Sequence, residues 1–162
     1  MTHPNKLVAV VVPMSDRPAL TDDEATSFRH LEHFLSGYDR YLVVPRSMDI
    51  SPRGCRLARF DDGFFGSVAA NRALMLSPEF YEAFSAYEYI LIYHLDALVF
   101  SDELREWCEK GHDYIGAPWL RSVFEPVPQE AGFALVGNGG FSLRRVEAMM
   151  RVLTSTRFAT EP

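Results

Sequence analysis

Residues 89–100 read YILIYHLDALVF, the most apolar stretch of the chain, broken only by His94 and Asp96. A continuous apolar run of this kind suits a strand whose sheet is covered by helices on both faces. An ionised carboxylate at the end of such a run is costly unless a cation or several hydrogen bonds compensate it, which makes Asp96 the first residue to ask about. On an extended strand His94 and Asp96 leave the same face, so that both side chains can converge on one ion or one diphosphate. The plainer alternative is that the strand ends at Leu95, with Asp96 a solvated turn residue and His94 packed at the rim.

The same pattern continues outward from this run. KLVAVVVP at 6–13 reads as a first buried strand, and Thr21-Asp22-Asp23-Glu24 is a capping box opening a helix with Phe28, Leu31 and Leu35 on one face, stopped by Gly37. YLVVP at 41–45 and RLARF at 56–60 follow as short strands. Ser67 starts a helix through Asn71, Leu74 and Met75, and Ser77-Pro78-Glu79 restarts one with a capping serine and a proline in the first turn. Beyond the central run, 101–103 caps a short helix carrying Leu104, Trp107 and Cys108, Gly111 ends it, and 114–116 is strand-like. Residues 121–131 look like a loop, and GNGGFSLRR at 137–145 is a turn and strand leading into a helix with Val146, Met149, Met150 and Leu153 inward. Strands alternating with helices predict a single α/β domain over 1–162, a three-layer sandwich around a mostly parallel sheet.

Composition narrows the function. A formal net charge of −6 lacks the basic face that nucleic-acid binding requires. Only Lys6 and Lys110 are lysines, so the cations are almost all arginine, a bias that suits phosphate recognition but that genome composition also produces. Cys55 and Cys108 are far apart and outside any zinc spacing. The N-terminus has no signal-peptide pattern, and no run approaches the roughly 20 apolar residues that span a bilayer, so a cytoplasmic protein is expected.

The tetrapeptide Gly137-Asn138-Gly139-Gly140 is a second candidate, because glycines admit a ligand close to backbone N–H groups; a tight turn between strands is the alternative. Asp113, Trp119 and Arg144 lie near the strand ends where open α/β sheets hold ligands, although a turn aspartate and a core tryptophan serve equally well for the first two. His30 and His33 stand at i, i+3 without a third ligand and read as surface histidines. No nucleophile elbow, P-loop or dinucleotide fingerprint follows a predicted strand.

Taken together, SPEFY at 77–81, the central run with its continuation to GAPW, and VGNGGFSLRRV at 136–146 resemble a little-characterised family of glycosyltransferases with a GT-A-type, nucleotide-diphospho-sugar transferase-like fold that is Rossmann-like in layout. The resemblance covers roughly 67–153. It implies transfer of a hexosyl-type group from a nucleotide-diphospho-sugar donor to a glycan or other acceptor, assisted by a divalent cation, Mn²⁺ or Mg²⁺. His94-Leu95-Asp96 stands where such enzymes carry a short acidic metal motif, with histidine in place of its first aspartate, giving Asp96 and His94 as metal ligands. The resemblance further places Pro13, Arg17, Asn71, Asp96, Asn138, Gly139 and Gly140 on the donor side, and Trp119 and Asp113 on the acceptor side. A later acidic segment of the family has no counterpart beyond Glu161, so a C-terminally incomplete domain is one expectation, and no catalytic carboxylate is named. A non-catalytic nucleotide- or glycan-binding module is the alternative. A homodimer is a third reading, formed through exposed sheet or the aromatics Phe64, Phe65 and Trp119.

Overall fold

The computed structural model describes residues 6–118 and 136–155. Six strands form one sheet: β1 (Lys6–Pro13), β2 (Asp39–Pro45), β3 (Arg56–Phe60), β4 (Tyr87–Tyr93), β5 (Tyr114–Pro118) and β6 (Val136–Arg145). Five helices accompany them: α1 (Asp22–Phe34), α2 (Val68–Met75), α3 (Pro78–Glu82), α4 (Leu104–Glu109) and α5 (Val146–Leu153). The sheet order is β3-β2-β1-β4-β6-β5. The β1–β2, β2–β3 and β1–β4 pairs are parallel, while β6 runs antiparallel to both neighbours. The sheet is therefore mixed but mostly parallel, as expected, and the reversed β6 is what lets one ribbon carry the glycine turn back to the end of β4.

Each strand buries alternate side chains in two separate cores. Val8, Val10 and Val12 of β1 join Leu91 of β4 with Phe28, Leu31 and Leu35 of α1 and Leu104 and Cys108 of α4. On the other face Ala9 and Val11 meet Ile90 and Ile92, Leu74 of α2, Phe80 and Tyr81 of α3, and Val146 of α5. Helices thus cover both faces, giving three layers. The continuous apolar runs in β1 and β4 follow from that, since neither face of a central strand meets water.

The helix starts obey their local chemistry. The Thr21 hydroxyl accepts from the Glu24 amide at 3.2 Å and the Glu24 carboxylate from the Thr21 amide at 2.7 Å, closing the capping box of α1. The Ser67 and Ser77 hydroxyls cap α2 and α3 by accepting from the Ala70 amide at 3.0 Å and the Phe80 amide at 3.2 Å. Phe64 and Phe65, offered by the sequence as an aromatic surface, are half-buried against the second core. No helix among the described residues is long and apolar enough to cross a membrane.

Candidate functional site

Strand order reverses between β1 and β4: β2 and β3 lie to one side of β1, whereas β4 and its antiparallel neighbour lie to the other. In open α/β sheets the loops leaving the carboxyl ends of such strands diverge and leave a crevice for ligand. Here those loops begin at Pro13 and at His94.

β4 ends at Tyr93, so His94, Leu95 and Asp96 belong to a turn closed by the Ala97 amide donating to the His94 carbonyl at 3.1 Å. The expectation that His94 and Asp96 share one face of an extended strand is corrected by this early ending. Within the turn Leu95 is buried, Asp96 is exposed and His94 is half-buried. Burial holds the His94 imidazole below its ordinary pKa, reinforced by the Arg144 charge and opposed by Asp96. The ring is accordingly neutral at pH 7, the form that binds a metal.

The turn is fastened at both ends. On its way in, the His94 amide donates to the Gly140 carbonyl at 2.8 Å. On its way out, the Ala97 carbonyl accepts from Ser27 Oγ of α1 at 2.6 Å and from Tyr93 Oη at 3.1 Å, while His30 Nδ1 lies 2.9 Å from the Val99 carbonyl. His30, read from sequence as a surface residue, is half-buried here and helps hold this loop to α1.

Residues 138–140 form a bulge facing that turn. One step along β5, from Gly116 to Ala117, spans Ser142 to Asn138 on β6. The excess chain is gathered by Asn138, whose Oδ1 accepts from the Gly140 amide at 2.8 Å. A Cβ on Gly140 would stand 3.3 Å from both His94 Nδ1 and Asn138 Oδ1, so glycine lets the histidine ring lie on the backbone. Gly116 is tighter still: its Cβ would meet the Gly137 Cα and Tyr114 Cε1, each at 2.8 Å.

Arg144 anchors the bulge from beneath. It is 5% exposed, and its guanidinium donates to Tyr81 Oη at 2.6 Å, Ser142 Oγ at 3.0 Å and the Gly139 carbonyl at 3.1 Å. Tyr81 Oη in turn donates to the Met75 carbonyl at 2.9 Å, and burial raises its pKa against the pull of Arg144, keeping the phenol protonated. Every hydrogen-bond partner of this buried cation among the described residues is neutral. The sequence placed Arg144 near a strand end but held no sign of its link to Tyr81 on α3.

The remaining expected residues divide by position. Pro13 ends β1 at the carboxyl end of the parallel strands, and exposed Asp16 in the same loop approaches the loop before α2, its Oδ2 being 3.8 Å from where a Gly66 Cβ would stand. Asp16 is an additional carboxylate at this end of the sheet, and its only sequence signal is its place just after a buried strand. Arg17 is turned to α1: Nη2 lies 2.9 Å from both Glu24 carboxylate oxygens and Nη1 donates to the Ala19 carbonyl. Asn71 is half-buried in the first turn of α2, at the same end of the sheet.

Asp113 is not brought to the site. It precedes β5 at the opposite end of the sheet, paired with Arg145 at 3.6 Å and Arg151 at 3.8 Å, because β5 runs in the same direction as β4. Trp119 and Glu161 lie outside the described residues. Among the described residues no group of three or more His, Cys, Asp or Glu side chains converges to hold an ion. One exposed carboxylate nevertheless fits the habit of Mg²⁺-type ions, which take one or two carboxylates and complete their shell with water and substrate phosphates. Asp96, with His94 beside it, meets that minimum.

A family model described as "Protein of unknown function (DUF5672)" matches residues 54–161, a span holding β3 to α5 and both the 94–97 turn and the glycine bulge. No curated protein matches the chain.

Proposed function

Because the chain belongs to this DUF5672 family of unknown function, its chemistry has to be argued from the site, and we propose that it transfers a sugar from a nucleotide-diphosphate donor to an acceptor hydroxyl. The observation that carries the reading is the junction of the 94–97 turn with the glycine bulge, held by the 2.8 Å hydrogen bond from His94 to Gly140, beside the β1–β4 reversal. Such a crevice suits a nucleotide, and a glycine bulge lets diphosphate oxygens approach the backbone closely. The GT-A resemblance of the same two segments points to the same chemistry.

In this reading Asp96 and His94 hold the divalent cation, Mn²⁺ or Mg²⁺, which when bound neutralises charge on the departing diphosphate. Pro13 and Asn71 border the nucleotide, and 138–140 border the diphosphate. Arg144 and Ser27 touch no ligand; they fix the bulge and the turn. The acceptor oxygen forms a bond to the anomeric carbon as the bond from that carbon to the diphosphate oxygen breaks. The hydroxyl proton is released to water and the nucleoside diphosphate leaves. A cytoplasmic setting belongs to this reading.

Calorimetric titration of the protein with UDP- and GDP-sugars in the presence of Mn²⁺ tests it. Heat is expected with one donor class and is expected to be lost in Asp96→Ala. Absence of heat from every donor, or equal heat in the variant, defeats the proposal. Binding without transfer to any acceptor hydroxyl favours the non-catalytic module, for which the presence of one carboxylate, Asp96, in the 94–97 turn is the supporting observation.

A further inference from the structure

The α1 and α4 face of the sheet carries an apolar cavity of about 460 Å³, in the range of small-molecule sites, roughly 300–1,000 Å³. Leu91 and Leu143, register partners on β4 and β6, form its floor, with Leu104 and Trp107 of α4 as a wall. Leu98 and Phe100 are 44% and 70% exposed at its mouth. Ser142, Ser101 and Glu103 also border it, but the Ser142 hydroxyl is spent on the Gly139 carbonyl at 3.0 Å, the Ser101 hydroxyl donates to Glu103 at 3.0 Å, and the rest of the lining is apolar.

The cavity lies next to the candidate site along the chain. Phe141 lines it, and the residue before Phe141 is Gly140, whose carbonyl holds the 94–97 turn; Leu98 and Val99 line it directly after that turn. A molecule lodged in the cavity thus touches residues that directly follow the glycine bulge and the 94–97 turn. We infer that this cavity takes the apolar part of the acceptor, an aliphatic or aromatic compound bearing the hydroxyl that receives the sugar. The acceptor role rests on the transferase reading, whereas the apolar site rests on the cavity alone.

Fluorescence of 1-anilinonaphthalene-8-sulfonate with the full chain reads the site directly. Straight-chain alcohols from butanol to octanol are expected to displace the dye with affinity rising about fourfold per methylene, the increment for burying one CH₂. Glucose is expected to leave the dye in place. Ala117→Trp, which fills the cavity from β5, is expected to abolish dye binding. Leu98→Asp, at an exposed position, is expected to weaken every alcohol without moving the unfolding midpoint. Displacement independent of chain length, displacement by glucose, or dye binding by a folded Ala117→Trp protein equal to wild type overturns the cavity assignment. Titrating UDP, GDP and Mn²⁺ into the same proteins separates the two ideas. Nucleotide heat without the alcohol series overturns the cavity and leaves the transferase reading; the alcohol series without nucleotide heat upholds the apolar site and overturns its role as acceptor site.

Discussion

His94 and Asp96 are two residues apart yet do different physical work, and substitutions can separate them. Asp96 is exposed and supports no packing, so Asp96→Asn should change stability by no more than about 0.5 kcal/mol. Its affinity for nucleotide with Mn²⁺ should fall at least about tenfold, the loss that even a residue supporting a metal ligand produces. The paired measurement is a urea midpoint and a calorimetric isotherm; a loss of stability equal to the loss of binding would mean that the carboxylate is structural. Arg144 gives the converse. With its guanidinium buried among Tyr81, Ser142 and Gly139, Arg144→Met removes the hydrogen bonds it makes to all three, each of which keeps one other partner, and a destabilisation of about 1.5–3 kcal/mol is expected, the worth of a hydrogen bond to a charged group. Tyr81→Phe removes one of the three partners and should cost less in the same urea series.

At the scale of elements, the capping box and the bulge behave differently toward solvent and toward substitution. Burial alone would raise the Glu24 pKa, but the Thr21 amide and the Arg17 guanidinium outweigh it and hold the carboxyl below its ordinary 4.5. A carboxylate depressed by folding stabilises the native state at pH above 4.5, and the contribution is lost as pH falls through the lower folded value. Glu24→Gln should therefore flatten the acid limb of stability against pH, read from urea midpoints between neutral pH and pH 3, and leave the neutral-to-acid slope above 5 unchanged. Gly116→Ala tests the bulge. Its new methyl meets backbone at Gly137, which cannot rotate away, so a loss of about 1–3 kcal/mol is expected. Gly37→Ala, with open space around it, should be neutral or gain up to about 1 kcal/mol. These elements also mark how far sequence carries. β1, β3 and the caps Thr21, Ser67 and Ser77 are local events, fixed by side-chain periodicity and one hydroxyl each, and they stand where the residues predict. The reversal of β6 and the swing of Asp113 to the far end of the sheet depend on which strands pair, and no local signal encodes pairing. The turn at 94–97 lies between: apolar continuity extended the strand past Tyr93, whereas the hydrogen bonds from His94 and Ala97 end it.

Across the whole molecule the two ends of the sheet are chemically unlike. At the start of β1, β2 and β4, Lys6 meets Asp39 at 2.6 Å, Arg56 approaches the same carboxylate at 3.3 Å, and Tyr87 donates to it at 2.7 Å, so charges there are matched among themselves. The opposite end carries the exposed Asp16 and Asp96 and the glycine bulge. The wall of the apolar cavity at that end is α4, a helix of one and a half turns whose only deep anchors are Leu104 and Cys108. Cys108 reports on it. Burial, aided by the Glu88 charge, pushes its thiol up to about 11, so at pH 8 about one molecule in a thousand carries the reactive thiolate even before access is considered. Alkylation by iodoacetamide must then proceed through opening of α4 from the sheet, whereas half-buried Cys55 lies on the loop before β3 and is expected to label first. If α4 belongs to the global cooperative unit, the Cys108 labelling rate rises with urea as steeply as global unfolding does; a shallow slope identifies a local opening of the cavity wall. Octanol in the cavity should slow Cys108 labelling while leaving Cys55 unaffected, because a ligand bound only to the closed form draws population from the open one. Labelling of Cys108 in native buffer as fast as that of Cys55 would show that α4 does not close the cavity at all.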